Sequence, residues 1–214
     1  MSTAHEHKRL SVPEQYLRAV EVLRAGGVVA LPTDTVYGLC AVAVDTVAVE
    51  RVYEVKARDP AQPLPIFVAS IEQAALIGET NAAVEALAAA FWPGALTIVM
   101  QRRAVYQSRA LAGNDSVGVR APADPALRDL AAQLGPLTGT SANIAGRQEC
   151  HTAEEVYAQL GDAIDLIIDA PVCATGVPST IVDCTEGGRV CVVRDGAISR
   201  SAIAEALAGI APVV

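Results

Sequence analysis

Lys56-Ala57-Arg58 sets two cations two residues apart. That pairing suits a phosphate, because Arg offers a bidentate fork and Lys a point charge. Three further polar islands break an otherwise apolar chain: Pro32-Thr33-Asp34-Thr35-Val36-Tyr37-Gly38-Leu39, Gly139-Thr140-Ser141-Ala142-Asn143 and Pro178-Ser179-Thr180-Ile181-Val182-Asp183. Together they offer hydroxyls and an amide beside the cations, an inventory that fits a nucleotide phosphate plus a small polar molecule. Arg120, in Val119-Arg120-Ala121-Pro122, interrupts apolar company, and a half-buried Arg wants an anion. Each feature also has a bland explanation. Lys56 and Arg58 compensate a helix dipole, the hydroxyls of residues 33–35 and 179–180 belong to ordinary strand ends, and Arg194 before Asp195-Gly196 is a solvated charge.

Several familiar chemistries are absent. Ser141 does not sit in a G-x-S-x-G elbow, and His151, the candidate base, reads as a surface residue before a helix cap, so a serine hydrolase is disfavoured. There is no Walker A run and no G-x-G-x-x-G run, so a nucleotide would bind by neither common loop. Cys40, Cys150, Cys173, Cys184 and Cys191 form no C-x-x-C pair, which predicts reduced, mostly buried thiols in the cytoplasm. His5 and His7 flank Glu6 in a polar stretch, and no metal ligand is assigned.

The elements that must hold these groups alternate between helix and strand. Ser11 and Glu14 form a capping box for a helix through Leu17, Val20 and Leu23 that stops at Gly26-Gly27. Val28 to Leu31 is a short, continuous apolar strand buried on both faces. Asp45 caps a helix carrying Val49, Val52 and Val55, with the cation pair at its end. A strand follows at 64–68, helices at 71–77 and 82–90, and strands at 96–100 and 117–120. Asp124 caps a helix to Leu134, residues 136–138 are a strand, and Thr152 with Glu155 caps a helix to Leu160. Strands at 166–168, 181–182 and 190–193 precede a helix that starts at Ser199 and ends near Gly209. The pattern predicts an α/β fold with a twisted mixed sheet and flanking helices. Residues 1–10 read as a flexible tail and 11–210 as a single domain.

The chain has 214 residues, about half of them apolar, and a net charge of −8. Stable grip on nucleic acid needs neutralised phosphates, so the charge weighs against it, as do two Phe, one Trp and five Tyr against base stacking. No apolar run reaches the ~20 residues that span a membrane.

In order along the chain, PTDTVYGL, KAR, FWPGALTIV, VGVRAP, TSAN with a following Gly, PSTIVD and VVRDG resemble the YrdC-like family over roughly residues 11–205. The resemblance implies that family's twisted α/β fold, in its short form, and the activity of its characterised members, threonylcarbamoyl-AMP synthases. L-threonine, bicarbonate and ATP (with Mg²⁺) would give threonylcarbamoyl-AMP and pyrophosphate, and a transferase contacted transiently would modify tRNA. It assigns Lys56 and Arg58 to catalysis and ATP phosphates. Gln62, Ser116, Ser141, Asn143 and Arg194 become further ATP contacts, and Thr35, Arg120, Thr140 and Ser179 threonine contacts. Two positions depart from the family pattern: Phe67 stands where many members have His, and Glu149 where a small polar residue is frequent. The alternatives are a paralogue that binds nucleotide without this activity and a module that binds double-stranded RNA. The expectation here is weak or no direct tRNA binding, no membrane contact and a cytoplasmic enzyme.

Overall fold

The computed structural model describes residues 11–170, 176–186 and 188–214. The expected tail at 1–10 and Cys173 lie outside them. The elements follow the caps. α1 (Val12–Arg24) begins where the Glu14 carboxylate accepts from the Ser11 backbone N–H at 2.8 Å. It is followed by β1 (Val29–Leu31), β2 (Gly38–Cys40), and α2 (Thr46–Val55), whose first turn is held by Asp45 accepting from the Ala48 N–H at 3.0 Å. Next come β3 (Ile66–Phe67), α3 (Ile71–Ile77), α4 (Ala82–Phe91), β4 (Leu96–Gln101) and β5 (Ser116–Arg120). α5 (Pro125–Leu134) starts on the Asp124 cap, which accepts from the Leu127 N–H at 2.8 Å. β6 (Leu137–Thr138), β7 (Thr140–Ser141), α6 (Ala153–Leu160), β8 (Leu166–Ile167), β9 (Thr180–Asp183), β10 (Cys191–Arg194) and α7 (Arg200–Ala206) complete the order.

The expected α/β architecture of mixed sheet and flanking helices holds, and among the described residues its strands form two sheets. One has the order β7-β2-β1-β8 and the other β10-β9-β4-β5-β3-β6. Both are mixed: β1 runs antiparallel to β2 and parallel to β8, and β4 antiparallel to β5 and parallel to β9. The chain passes from the larger sheet to the smaller between β6 and β7, through Gly139 alone. The Thr138 N–H donates to the Ala41 carbonyl at 2.8 Å, and the Thr138 hydroxyl accepts from the Ala41 N–H at 2.9 Å, so the junction is stitched twice. Asp165 fastens the other edge, accepting from the Val28 N–H at 2.7 Å while paired with Arg51. Residues past 210 also pair, with the Val214 N–H donating to Val190 at 2.9 Å.

Strand alternation sends successive side chains to opposite faces. On the larger sheet Ile98, Val119 and Val182 face a core shared with Val84 and Leu87 of α4 and Ile203 of α7. Thr97, Val99, Ser116, Gly118, Arg120 and Ile181 take the other face and line a cavity. A second core packs Leu23 of α1 and Leu127 and Leu130 of α5 on Val29, Leu31 and Phe67. Phe67 thus serves both the core and the cavity wall. Cys40, Cys150 and Cys184 are buried and Cys191 half-buried, all as free thiols.

The Phe67 ring leaves no room beside Gly139, where a Cβ would meet three ring atoms at 2.8–2.9 Å. Gly139→Ala should therefore cost about 1–3 kcal/mol, the range for overpacking a filled interior. Urea unfolding measures this. The cost should shrink in a Phe67→Ala background, and an unchanged cost there would mean that the ring is not what Gly139 yields to.

Candidate functional site

The cavity occupies about 270 Å³ and draws its walls from all four polar islands. Thr33, Thr35 and Gly38 come from the loop into β2 and its first residue, Arg58 from the turn after α2, Thr140 and Ser141 from β7, Ser179 from just before β9, and Arg194 from β10. Tyr37, Phe67, Thr97, Ser116, Arg120 and Glu149 complete the polar and aromatic lining. Eleven residues had a role assigned from sequence. Eight of them converge here: Thr35, Arg58, Ser116, Arg120, Thr140, Ser141, Ser179 and Arg194.

The Arg120 guanidinium is the most constrained of these groups. It forms an ion pair with Asp34 at 2.6 Å, donates to the Thr35 hydroxyl at 2.9 Å, and donates through Nε to the Gly94 carbonyl at 2.9 Å. The anion that this buried Arg requires is thus supplied by the protein. The Thr33 hydroxyl donates to the Val36 carbonyl at 2.8 Å and lies 2.9 Å from the Thr35 hydroxyl. With the Thr33 proton so committed, Thr35 donates to Thr33 and accepts from Arg120. One Thr35 lone pair remains, an acceptor suited to a ligand ammonium or hydroxyl.

Ser179 is fixed as firmly. Its carbonyl accepts from Arg194 Nη2 at 2.8 Å and its hydroxyl from the same nitrogen at 3.1 Å. The Thr97 hydroxyl lies 2.9 Å from that of Ser179. Gly196 presses on the same segment, and a Cβ there would meet the Pro178 carbonyl oxygen at 2.4 Å. Thr97 escaped the sequence analysis. The signal was present, since a strand with apolar residues at 96, 98 and 100 carries a lone hydroxyl at 97 on its other face.

The cation pair divides. Lys56 is 2% exposed and turned inward, donating to the Ser141 carbonyl and, at 2.7 Å, to the Asn143 carbonyl. Burial, aided by the Arg58 charge, pushes its pKa down to about 8. Lys56 holds the 141–143 loop in place and is not among the cavity walls. Positive φ at Ala57, 47°, turns the chain so that the two side chains separate. Arg58 does line the cavity, donates to the Pro63 carbonyl at 3.1 Å, and has a buried Nε with no partner among the described residues. An orphaned charged donor in a cavity wall suits an incoming anion.

Two assigned amides are elsewhere. The Asn143 side chain donates to the carbonyls of Ile144 at 3.0 Å and Arg147 at 2.8 Å, shaping its own loop. Gln62 is exposed and absent from the cavity walls. No group of three His, Cys, Asp or Glu side chains able to hold a metal lies among the described residues. A magnesium ion carried by a nucleotide needs few protein ligands, because phosphates and water supply the rest. Glu149 in the cavity wall is compatible with that limited demand.

A model of the Sua5/YciO/YrdC family, described as telomere recombination, matches residues 21–196. A Pyrococcus abyssi protein named threonylcarbamoyl-AMP synthase is 40% identical over 78% of this chain and 50% of its own length. A Bacillus subtilis protein of the same name is 36% identical over 91% of this chain and 57% of its own. The chain thus spans about half the length of these curated relatives. The crystal structure of P. abyssi Sua5 complexed with L-threonine superposes with a TM-score of 0.87 at 35% identity, over 96% of this chain and 60% of that one.

Removing the anion beside Arg120 tests the local electrostatics. Asp34→Ala should destabilise the protein by about 3 kcal/mol or more, because it leaves a buried charge uncompensated. Chemical denaturation reads the loss. A loss below about 1 kcal/mol, the scale of exposed ion pairs, would mean that the Asp34 pair is not what holds the guanidinium.

Proposed function

The chain belongs to the Sua5/YciO/YrdC family, and on that premise we propose that it makes threonylcarbamoyl-AMP and pyrophosphate from L-threonine, bicarbonate and ATP. The observation that carries this reading is the gathering of Arg58, Arg120, Arg194 and the hydroxyls of Thr33, Thr35, Thr97, Ser116, Thr140, Ser141 and Ser179 in one cavity. The likeness to a Sua5 bound to L-threonine supports the amino-acid half of it.

The chemistry needs no protein nucleophile. The threonine amine condenses with bicarbonate, releasing water and forming a carbamate. A carbamate oxygen then attacks the α-phosphorus of ATP, and pyrophosphate leaves with the electrons of the broken P–O bond. The protein's part is to hold the two reactants in line and to stabilise the departing charge. The Thr35 lone pair and the Ser179–Thr97 hydroxyl pair orient the amino acid, with the Arg120 cation beside them. Arg58, through its unpartnered Nε, and Arg194 take phosphate oxygens. Lys56 and Asn143 act as positioning residues for Thr140 and Ser141, since their polar atoms are engaged by the loop. Magnesium would neutralise phosphate charge when bound with the nucleotide. The walls also limit water around a labile mixed anhydride. In this proposal the product passes in the cytoplasm to a separate transferase that recognises tRNA.

Pyrophosphate release should require L-threonine and bicarbonate. Arg58→Ala should lower it at least ~10-fold, equivalent to ~1.4 kcal/mol of lost charge stabilisation, with little change in unfolding midpoint. Lys56→Ala should lower both rate and stability, because two loop carbonyls lose their donor. Release independent of threonine, or an Arg58→Ala variant with the parent rate, would contradict the proposal.

Binding of tRNA gives a second measurement. Fluorescence anisotropy at two salt concentrations should show only salt-sensitive association, in the ~10⁻⁴–10⁻⁶ M range or weaker. A nanomolar complex that survives high salt would instead support the RNA-binding alternative.

A further inference from the structure

Glu149 is the one carboxylate among the described residues that lines the cavity, which Arg58 and Arg194 also line, and its charge acts on Arg194. Asp34, the other acid close by, is occupied by Arg120 at 2.6 Å and the Ala123 N–H at 3.0 Å. Glu149 has no such anchor: among the described residues no hydrogen bond or ion pair engages its carboxylate. Its charge reaches the surrounding cations all the same. Burial lowers the pKa of Arg194 and of Lys56, and Glu149 opposes the shift at both.

A half-buried, unanchored carboxylate is out of place in a wall built to take phosphates. A bare polyphosphate would meet like charge there, which raises rather than lowers its free energy on entry. The conflict disappears if the phosphates arrive with a hard divalent cation. Mg²⁺ keeps most of its water and is held by one or two carboxylates together with phosphate oxygens. The arginines can then take the outer phosphate oxygens while the carboxylate faces the metal.

We propose that Glu149 is the protein ligand through which this cavity selects the magnesium complex of a nucleotide over the bare polyphosphate. The assignment rests on the nucleotide reading above and adds to it a metal contact and a specificity. Gln at this position keeps the shape and removes the charge. Glu149→Gln therefore affects the two forms of the nucleotide in opposite directions. It relieves repulsion of metal-free ATP and withdraws a ligand from Mg-ATP.

Calorimetric titration of the full chain with ATP, without threonine so that no turnover occurs, tests this in two buffers, one with excess EDTA and one with excess Mg²⁺. In Glu149→Gln, metal-free ATP should bind tighter and Mg-ATP weaker. The preference for the magnesium form should fall by about 10-fold, inside the usual range of coupling between two ligands. Manganese in place of magnesium gives a spectroscopic check, because the resonance of protein-bound Mn-ATP should change in the variant. Equal tightening of both forms, or an unchanged preference, would overturn the assignment and make Glu149 only a counter-charge for Arg194 and Lys56. A parent protein that binds ATP in neither buffer would overturn the nucleotide reading itself, so the two failures are distinguishable.

Discussion

Arg120 carries a full charge on a side chain only 5% exposed, at the end of a strand otherwise made of apolar and small residues. Such a charge is tolerated only when its donors are met, since an unpaired buried ion costs several kcal/mol. The three partners come from two places: Asp34 and Thr35 from the loop after β1, and Gly94 from the turn before β4. The loop after β1 belongs to the smaller sheet and Arg120 to the larger. Satisfying one guanidinium therefore fixes how the loop of one sheet sits over the face of the other, and the cavity lies in the space between. The hydroxyl chain from Arg120 through Thr35 to Thr33 and Val36 follows from the same demand.

The remaining walls are set by further polar anchors of the same kind. Lys56 is buried so that the loop carrying Ser141 and Asn143 has a donor for its carbonyls, and Arg194 clasps Ser179 by both its carbonyl and its hydroxyl. In each case a charged side chain satisfies backbone groups that strand pairing leaves out. The cations thereby preorganise the hydroxyls before any ligand arrives, which is the economical way to bind a small, densely polar substrate. Arg58 and Glu149 differ, since among the described residues one retains an unpartnered donor and the other an unengaged carboxylate. Functional groups held in reserve are what a site for a charged ligand needs.

Helix starts were legible because capping is local. Asp45, Asp124, Thr152 and Ser199 each directly precede a helix, and each accepts from the N–H three residues ahead. The short strands β2 and β7 were not legible. At two or three residues they carry no period, and their existence depends on pairing with one another across about a hundred positions of sequence. For the same reason one sheet could not be told from two. At the site, the islands showed which segments would meet, but not which way each side chain points. Lys56 and Arg58 look equivalent at a spacing of two, and the turn at Ala57 sends one inward. Asn143 offered an amide to a ligand and spends it on Ile144 and Arg147. Conversely, Thr97 was hidden in an apolar strand until alternation placed it opposite the core.

The proposed function requires one preorganised cavity, held open by the Arg120 pairing, to accommodate an amino acid and a nucleotide side by side. A crystal structure of the protein with L-threonine and a non-hydrolysable ATP analogue tests it most directly. The threonine should lie against Thr35, Ser179 and Arg120, with the phosphates on Arg58 and Arg194 and the Arg120–Asp34 pair intact. A threonine bound away from the Thr35–Ser179 cluster, or phosphates that leave Arg58 Nε without a partner, would contradict it.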